Sequence, residues 1–169
     1  MEVKSADIEK ILNYHCPRYE ELPDSNVFMD NLLSILENYL APFESLEDEK
    51  LITSTMINNY VKQKVIPPPQ NKRYNKTHIM YLIFLGILKS VLSINEISFI
   101  LKRQTEEYPI ERAYNFFAIE LENALKVTFG TRDFAQANSE KEKTPLSKIA
   151  RSALISLANR VYVKYNIYS

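Results

Sequence analysis

Residues 51–102 read LITSTMINNYVKQKVIPPPQNKRYNKTHIMYLIFLGILKSVLSINEISFILK, and this stretch decides the fold. It opens with a short polar helix. Thr53 or Ser54 offers a capping hydroxyl, and the pattern carries to about Lys64 before Pro67-Pro68-Pro69 forbids continuation. A basic turn follows, Lys72-Arg73-Tyr74-Asn75-Lys76, with Asn75 placed to cap a helix over Lys76 to Val91. That helix carries Ile79, Met80, Leu82, Ile83, Phe84, Leu85, Ile87, Leu88 and Val91. Being apolar almost all round, it belongs at the centre of a core. Gly86 in its middle costs about 1 kcal/mol relative to Ala, which points to a close helix crossing there. The next boundary, Ser93-Ile94-Asn95-Glu96, is a capping box. Ser93 bonds forward, Glu96 bonds back, and Leu92 and Ile97 sit where a hydrophobic staple belongs. A helix over Ile94 to Arg103 is expected.

Upstream, Ala6 to His15 places Ile8, Ile11 and Leu12 on one face. Asn26 to Leu40 repeats Val27, Phe28, Leu32, Ile35, Leu36 and Tyr39 at helical spacing. Pro42 is expected to end that helix, leaving Glu44 to Lys50 as an acidic connection. Downstream, Pro109 opens a helix to Phe129, with Ala113, Phe117, Leu121 and Leu125 on one stripe and Gly130 as its stop. Residues 131–143 read as an exposed polar loop. Thr144-Pro145 starts a last helix to about Tyr165, with Leu146, Ile149, Ala153, Leu157 and Val161 at near-heptad spacing, extended by Lys164. No strand alternation persists and no internal repeat occurs. The expected fold is all-α in three parts. Residues 1–49 form an acidic helical arm packing on the core, residues 50–105 a helix-turn-helix core, and residues 106–169 a C-terminal helical hairpin for dimerisation or an effector.

Composition sets the class. A chain of 169 residues suits one domain with a real core, and its two glycines argue for ordered helix rather than linker. The lone Cys16 excludes an internal disulfide framework and fits a reducing cytosol. The opening residues MEVKSAD are too polar for a signal peptide. The longest apolar run, Ile79 to Leu88, falls short of the roughly 20 residues a membrane span needs. A soluble, cytoplasmic protein without membrane contact is expected. Zero net charge hides segregation: residues 1–49 balance to −9, residues 50–105 to +8 and residues 106–169 to +1. Either the acidic and basic parts neutralise each other on the folded surface, or the basic third meets a polyanion.

The polar helix offers Ile57, Tyr60 and Val61 to a core and turns Thr55, Asn58, Asn59 and Lys62 the other way. Asn matches the adenine edge in the major groove, and Lys reaches guanine acceptors or phosphates. The same face also fits an ordinary solvated surface. Lys72, Arg73, Tyr74 and Lys76 suit a phosphate clamp, with the helix N-terminus after Asn75 adding amides. The alternative is a basic turn paired to the acidic arm. An enzyme finds little support. Only His15 and His78 are present, and His78, in the first turn of an apolar helix, suits a core or capping role. His15-Cys16 lacks a second ligand pair, and no phosphate loop or nucleophile motif occurs, so no metal or cofactor is expected.

Three motifs resemble those of a known family. Met56 to Pro67, MINNYVKQKVIP, resembles the recognition-helix segment of MerR-type regulators, which show Thr-Val-Arg-Tyr-Tyr-Glu-x-x-Gly-Leu-Leu and then Pro. Lys72-Arg73-Tyr74-Asn75 resembles that family's Arg-x-Tyr-Ser, and Leu92 to Ile97 its Phe-Ser-Leu-x-Glu-Ile. Asn58 stands where those regulators carry a DNA-contacting Arg, and Lys64 where they carry Gly. The wing is cut to Gln70-Asn71, and the segment before Lys50 replaces the usual first helix. These departures, with Glu20-Glu21-Leu22-Pro23 and Met29-Asp30 upstream, resemble a bacterial "domain of unknown function" family numbered 1836. The resemblance implies a MerR-like helix-turn-helix, its wing reduced or absent, and sequence-specific binding of double-stranded DNA in transcriptional regulation. Asn58, Asn59 and Lys62 would face bases, and Thr55, Lys72, Arg73, Tyr74 and Lys76 would face phosphates. Pairing of the C-terminal helices would give a homodimer. No residue pattern names an effector. The competing expectation is a helical protein-interaction module of the same fold that has lost DNA binding.

Overall fold

Seven α-helices make up the computed structural model, which describes residues 5–44, 46–47, 49–135 and 144–168. They are α1 (Ser5–Leu12), α2 (Met29–Glu44), α3 (Ser54–Lys62), α4 (Lys76–Leu88), α5 (Ile94–Glu107), α6 (Ile110–Phe129) and α7 (Pro145–Tyr168), with one 3-10 turn at Tyr19–Glu21. Among the described residues the only extended pairings are two isolated bridges, Val27–Tyr74 and Gln70–Arg73. The all-α expectation holds.

α4 is the axis of the core. Its residues from His78 to Leu88 are buried except Tyr81, as its lack of a polar face requires. α2 crosses it where expected: a Cβ at Gly86 would lie 2.9 Å from Leu40 Cδ1 and 3.1 Å from Ile52 Cγ1. Leu32, Leu36, Leu40 and Phe43 give α2 its buried stripe. Pro42 does not end this helix, which runs to Glu44. The last turn is held from outside, because buried Phe43 packs edge-on against Tyr14 with ring centroids 4.9 Å apart.

The capping box at α5 is present. Glu96 N donates to Ser93 Oγ at 3.3 Å, and Ser93 N donates to Glu96 Oε2 at 2.7 Å. α5 runs past Arg103 to Glu107, because buried Gln104 extends its inner face by one more turn. Gly130 does stop α6, but by close approach rather than left-handed backbone. Its φ is −105°, and an added Cβ would lie 2.7 Å from the Lys126 carbonyl oxygen.

The last two helices are not a hairpin. Contacts between them climb together along both chains. Phe116 shares a cleft with Leu146, Arg151 Nε donates to Glu120 at 2.7 Å, and Phe129 meets the rings of Tyr162 and Tyr165. α6 and α7 therefore run parallel. The connection from 130 to 144 has the reach to return, since its 15 residues extend to about 50 Å against about 20 Å of helix from Phe116 to Phe129. Along α7 the buried row is Leu146, Ala150, Ala153, Leu157, Val161 and Tyr165, and Ile149 is exposed. Ser147, Leu154 and Ala158 are buried as well, so the buried face lies to the side of Leu146 away from Ile149. Of the expected loop at 131–143, residues 136–143 lie outside the described residues. One hydrophobic cluster joins Ile11 and Leu36 of the arm, Ile57 and Ile83 of the central segment, and Leu121 and Leu157 of the C-terminal helices.

Beyond the packing of α2 on α4, the polar bonds of the acidic arm run mainly to α6 and α7. Arg18 grips Glu122 through both nitrogens at 2.7 and 3.0 Å, and Glu47 takes Arg160 and Lys164. Cys16, beside Glu122, is fully buried, and burial pushes its thiol up to about 12.

Candidate nucleic-acid interface

α3 is short because both of its ends are fixed by local bonds. Thr53 Oγ1 accepts from Met56 N at 3.2 Å at the start. At the end Lys64 N donates to Val61 O at 3.0 Å and Val65 N to Tyr60 O at 2.9 Å, the paired bonds of a Schellman motif. Lys64 holds the left-handed position of that motif, φ 58°, where glycine is the usual residue. The helix thus ends at Lys62, two residues before the expected limit. Ile57 and Tyr60 are buried beneath it. Thr55, Asn58, Asn59 and Lys62 are all exposed, and their spacing of three and four residues puts them on one face.

The proline run is tied to the start of α4 by His78. Pro67 O, 3.1 Å from His78 Nε2, can only accept, so Nε2 carries a proton, while Nδ1 lies 3.1 Å from Asn75 N and 2.7 Å from Asn75 Oδ1. His78 N donates in turn to Asn75 Oδ1 at 3.2 Å, so histidine completes a capping box here. Burial lowers the His78 pKa below its ordinary value.

Between the prolines and α4 the chain makes a two-residue reversal. Gln70 and Arg73 exchange backbone hydrogen bonds of 3.1 and 2.9 Å, with Asn71 and Lys72 both left-handed at φ 50° and 60°. That pair of angles is the signature of a type I′ hairpin turn. Lys72 and Arg73 are exposed at it. Arg73 lies over the ring of Phe28, 4.2 Å from the centroid.

Two expected phosphate contacts are placed elsewhere. Tyr74 is 4% exposed, its ring edge-on to His78, because its backbone pairs with Val27 and turns the side chain inward. Lys76 is ion-paired with Asp24 at 2.5 Å and sits 5.1 Å from the ring centroid of Tyr19. Neutralisation by the arm thus describes Lys76, and also Lys50, which pairs with Glu37 and Glu44. It does not describe Lys62, Lys64, Lys72 or Arg73. Among the described residues these four have no carboxylate at ion-pair distance. Phe28 was hidden in the sequence, since it reads as part of an amphipathic helix. α2 begins only at Met29, which leaves the Phe28 ring 49% exposed.

Among the described residues no group of three or more His, Cys, Asp or Glu side chains is placed to hold a metal ion, and no helix is long and apolar enough to cross a membrane. The class so defined is an all-helical domain that sets a polar helix and an exposed basic turn on its surface. Residues 17–117 match the domain of unknown function family DUF1836, and the chain belongs to that family. The matched span runs from the segment before the 3-10 turn to the middle of α6 and takes in α3 and the basic turn. No curated protein and no solved structure gives a significant match to the chain.

Proposed function

We propose that the protein is a sequence-specific DNA-binding transcriptional regulator, built on a MerR-like helix-turn-helix with α3 as its recognition helix. One observation carries this reading: Thr55, Asn58, Asn59 and Lys62 form one exposed face of α3, and Lys62, Lys64 and the exposed turn cations Lys72 and Arg73 have no carboxylate at ion-pair distance among the described residues. α3 is about 13 Å long and suits a major groove about 12 Å wide. Asn58, Asn59 and Lys62 would read base edges, and Thr55, Lys72 and Arg73 would hold phosphates. Two chains would pair through α7, whose exposed Ile149, Val163 and Ile167 remain after the buried row has packed on α6. A dimer would present two copies of α3 to adjacent half-sites.

The test is selection from random duplex pools, followed by affinity measurement across a salt series. Two cationic phosphate contacts, from Lys72 and Arg73, give a slope of log K against log salt of about −1.8 per protomer. The double change Lys62→Glu, Arg73→Glu should abolish binding and leave the melting temperature nearly unchanged. Failure to enrich any sequence, with no weakening as salt rises, would sink the reading.

A further inference from the structure

The acidic arm meets the basic turn at a single backbone pairing. Val27 N donates to Tyr74 O at 2.9 Å, and Tyr74 N to Val27 O at 2.8 Å. Successive side chains on such a pair point to opposite sides. Val27 and Tyr74 point inward and pack on the core, so Phe28 and Arg73 share the outer side. There the guanidinium covers one face of the Phe28 ring. Half of the phenylalanine stays in water, although a large core lies next to it. The fold thus holds an apolar ring against a cation that has no carboxylate, at the edge of the turn that carries Lys72.

We infer that Phe28 and Arg73 act together as a further DNA contact, Arg73 on a phosphate and the Phe28 ring on the apolar face of the adjoining deoxyribose. The contact would flank the groove that α3 enters. The inference rests on the DNA-binding reading above and adds to it a residue from the arm. Charge complementarity selects the occupant. Lys72 and Arg73 call for closely spaced anions, the ring calls for an apolar patch between them, and a sugar-phosphate backbone alternates the two. Asp24, an exposed carboxylate of the same arm, is engaged by Lys76 and does not compete for Arg73.

The experiment compares wild type, Phe28→Ala, Phe28→Leu and Arg73→Gln on the duplex recovered by selection, with anisotropy read across a salt series. Phe28→Ala removes apolar contact but no charge, so affinity should fall about tenfold with the salt slope unchanged. Phe28→Leu should recover part of that loss. Arg73→Gln should weaken binding and lower the slope by about one. If Phe28→Ala lowers the slope as Arg73→Gln does, the ring only supports the arginine and the proposed contact is wrong. Unchanged affinity in Phe28→Ala, with wild type binding normally, overturns the inference and leaves the DNA-binding reading standing. Absence of duplex binding by wild type overturns both. Melting curves keep the comparison clean, because an exposed ring contributes little to stability.

Discussion

Gly86→Ala tests whether the α2–α4 crossing is as tight as its distances say. The added methyl would lie 2.9 Å from Leu40 Cδ1 and 3.1 Å from Ile52 Cγ1, inside the ordinary carbon–carbon contact of about 3.5–4.0 Å. Leu40 is 1% exposed and Ile52 6%, so both would have to move into packed surroundings. Overpacking of this kind costs about 1–3 kcal/mol, whereas alanine in a helix interior regains about 1 kcal/mol over glycine. The expected net effect is a loss of about 1 kcal/mol. Leu40→Ala alone should cost about 2–5 kcal/mol, but it clears the nearer clash. In that background Gly86→Ala should be neutral or slightly stabilising, a coupling of about 1 kcal/mol. Urea denaturation of the four proteins at a common m value measures it. Equal effects of Gly86→Ala in both backgrounds, or stabilisation of the wild type, would refute the steric argument.

Burial lowers the folded pKa of His78, whereas the unfolded ring titrates near pH 6.5. The unfolded chain therefore binds the proton first, so this contribution to stability is full above about pH 6.5 and declines as pH falls through that value. Thermal melts at about pH 7.5 and pH 5.5 should show a drop that His78→Asn lacks; parallel drops in both proteins clear His78 of the effect. Lys64 holds φ 58°, a conformation that costs a non-glycine residue about 1 kcal/mol. Lys64→Gly should raise the denaturant midpoint by the equivalent of about 0.5 kcal/mol once glycine's larger unfolded entropy is set against that gain, and a lowered midpoint contradicts the account. Arg151→Met leaves Glu120, 1% exposed, without its guanidinium; a loss of about 3 kcal/mol is expected in denaturation, and a loss below about 1 kcal/mol refutes a structural role for the pair.

What the sequence reveals is set by how far each determinant reaches. Ser93 with Glu96, Asn75 and Thr53 act on amides within three residues, so their caps are legible from the chain alone. Gly86 is legible for a related reason: a glycine inside an otherwise apolar helix needs a neighbour that requires the space. Pro42 misleads because the bond it forfeits is offset by Phe43 docking on Tyr14, a contact between distant segments. The direction of α7 rests on which residues of α6 it meets, and the heptad-like spacing of its own apolar residues is silent on that. On the interface, the exposed face of α3 follows from helical period alone. The burial of Tyr74 and the pairing of Lys76 are not legible locally, because Val27 and Asp24, far upstream, decide where they point.

The two halves of the charge segregation meet different fates, and this bears most directly on function. Glu47 binds Arg160 and Lys164 on α7, Glu122 on α6 binds Arg18, and Glu20 takes the side-chain amide of Asn115. These bonds fasten the arm to the C-terminal helices, where charge was nearly balanced already. Among the described residues only Asp24, Glu37 and Glu44 of the arm form ion pairs with the central segment, and they take Lys76 and Lys50. Of the central-segment cations without a carboxylate at ion-pair distance among the described residues, Lys89 and Lys102 lie elsewhere, while Lys62, Lys64, Lys72 and Arg73 sit on the last turn of α3, just past its end and on the hairpin turn. An acidic arm that existed to quench the basic surface would place carboxylates there. This arm instead braces the turn through its backbone at Val27 and offers it a phenylalanine. A partner meeting the turn finds uncompensated cations and one apolar ring, the combination a sugar-phosphate backbone complements.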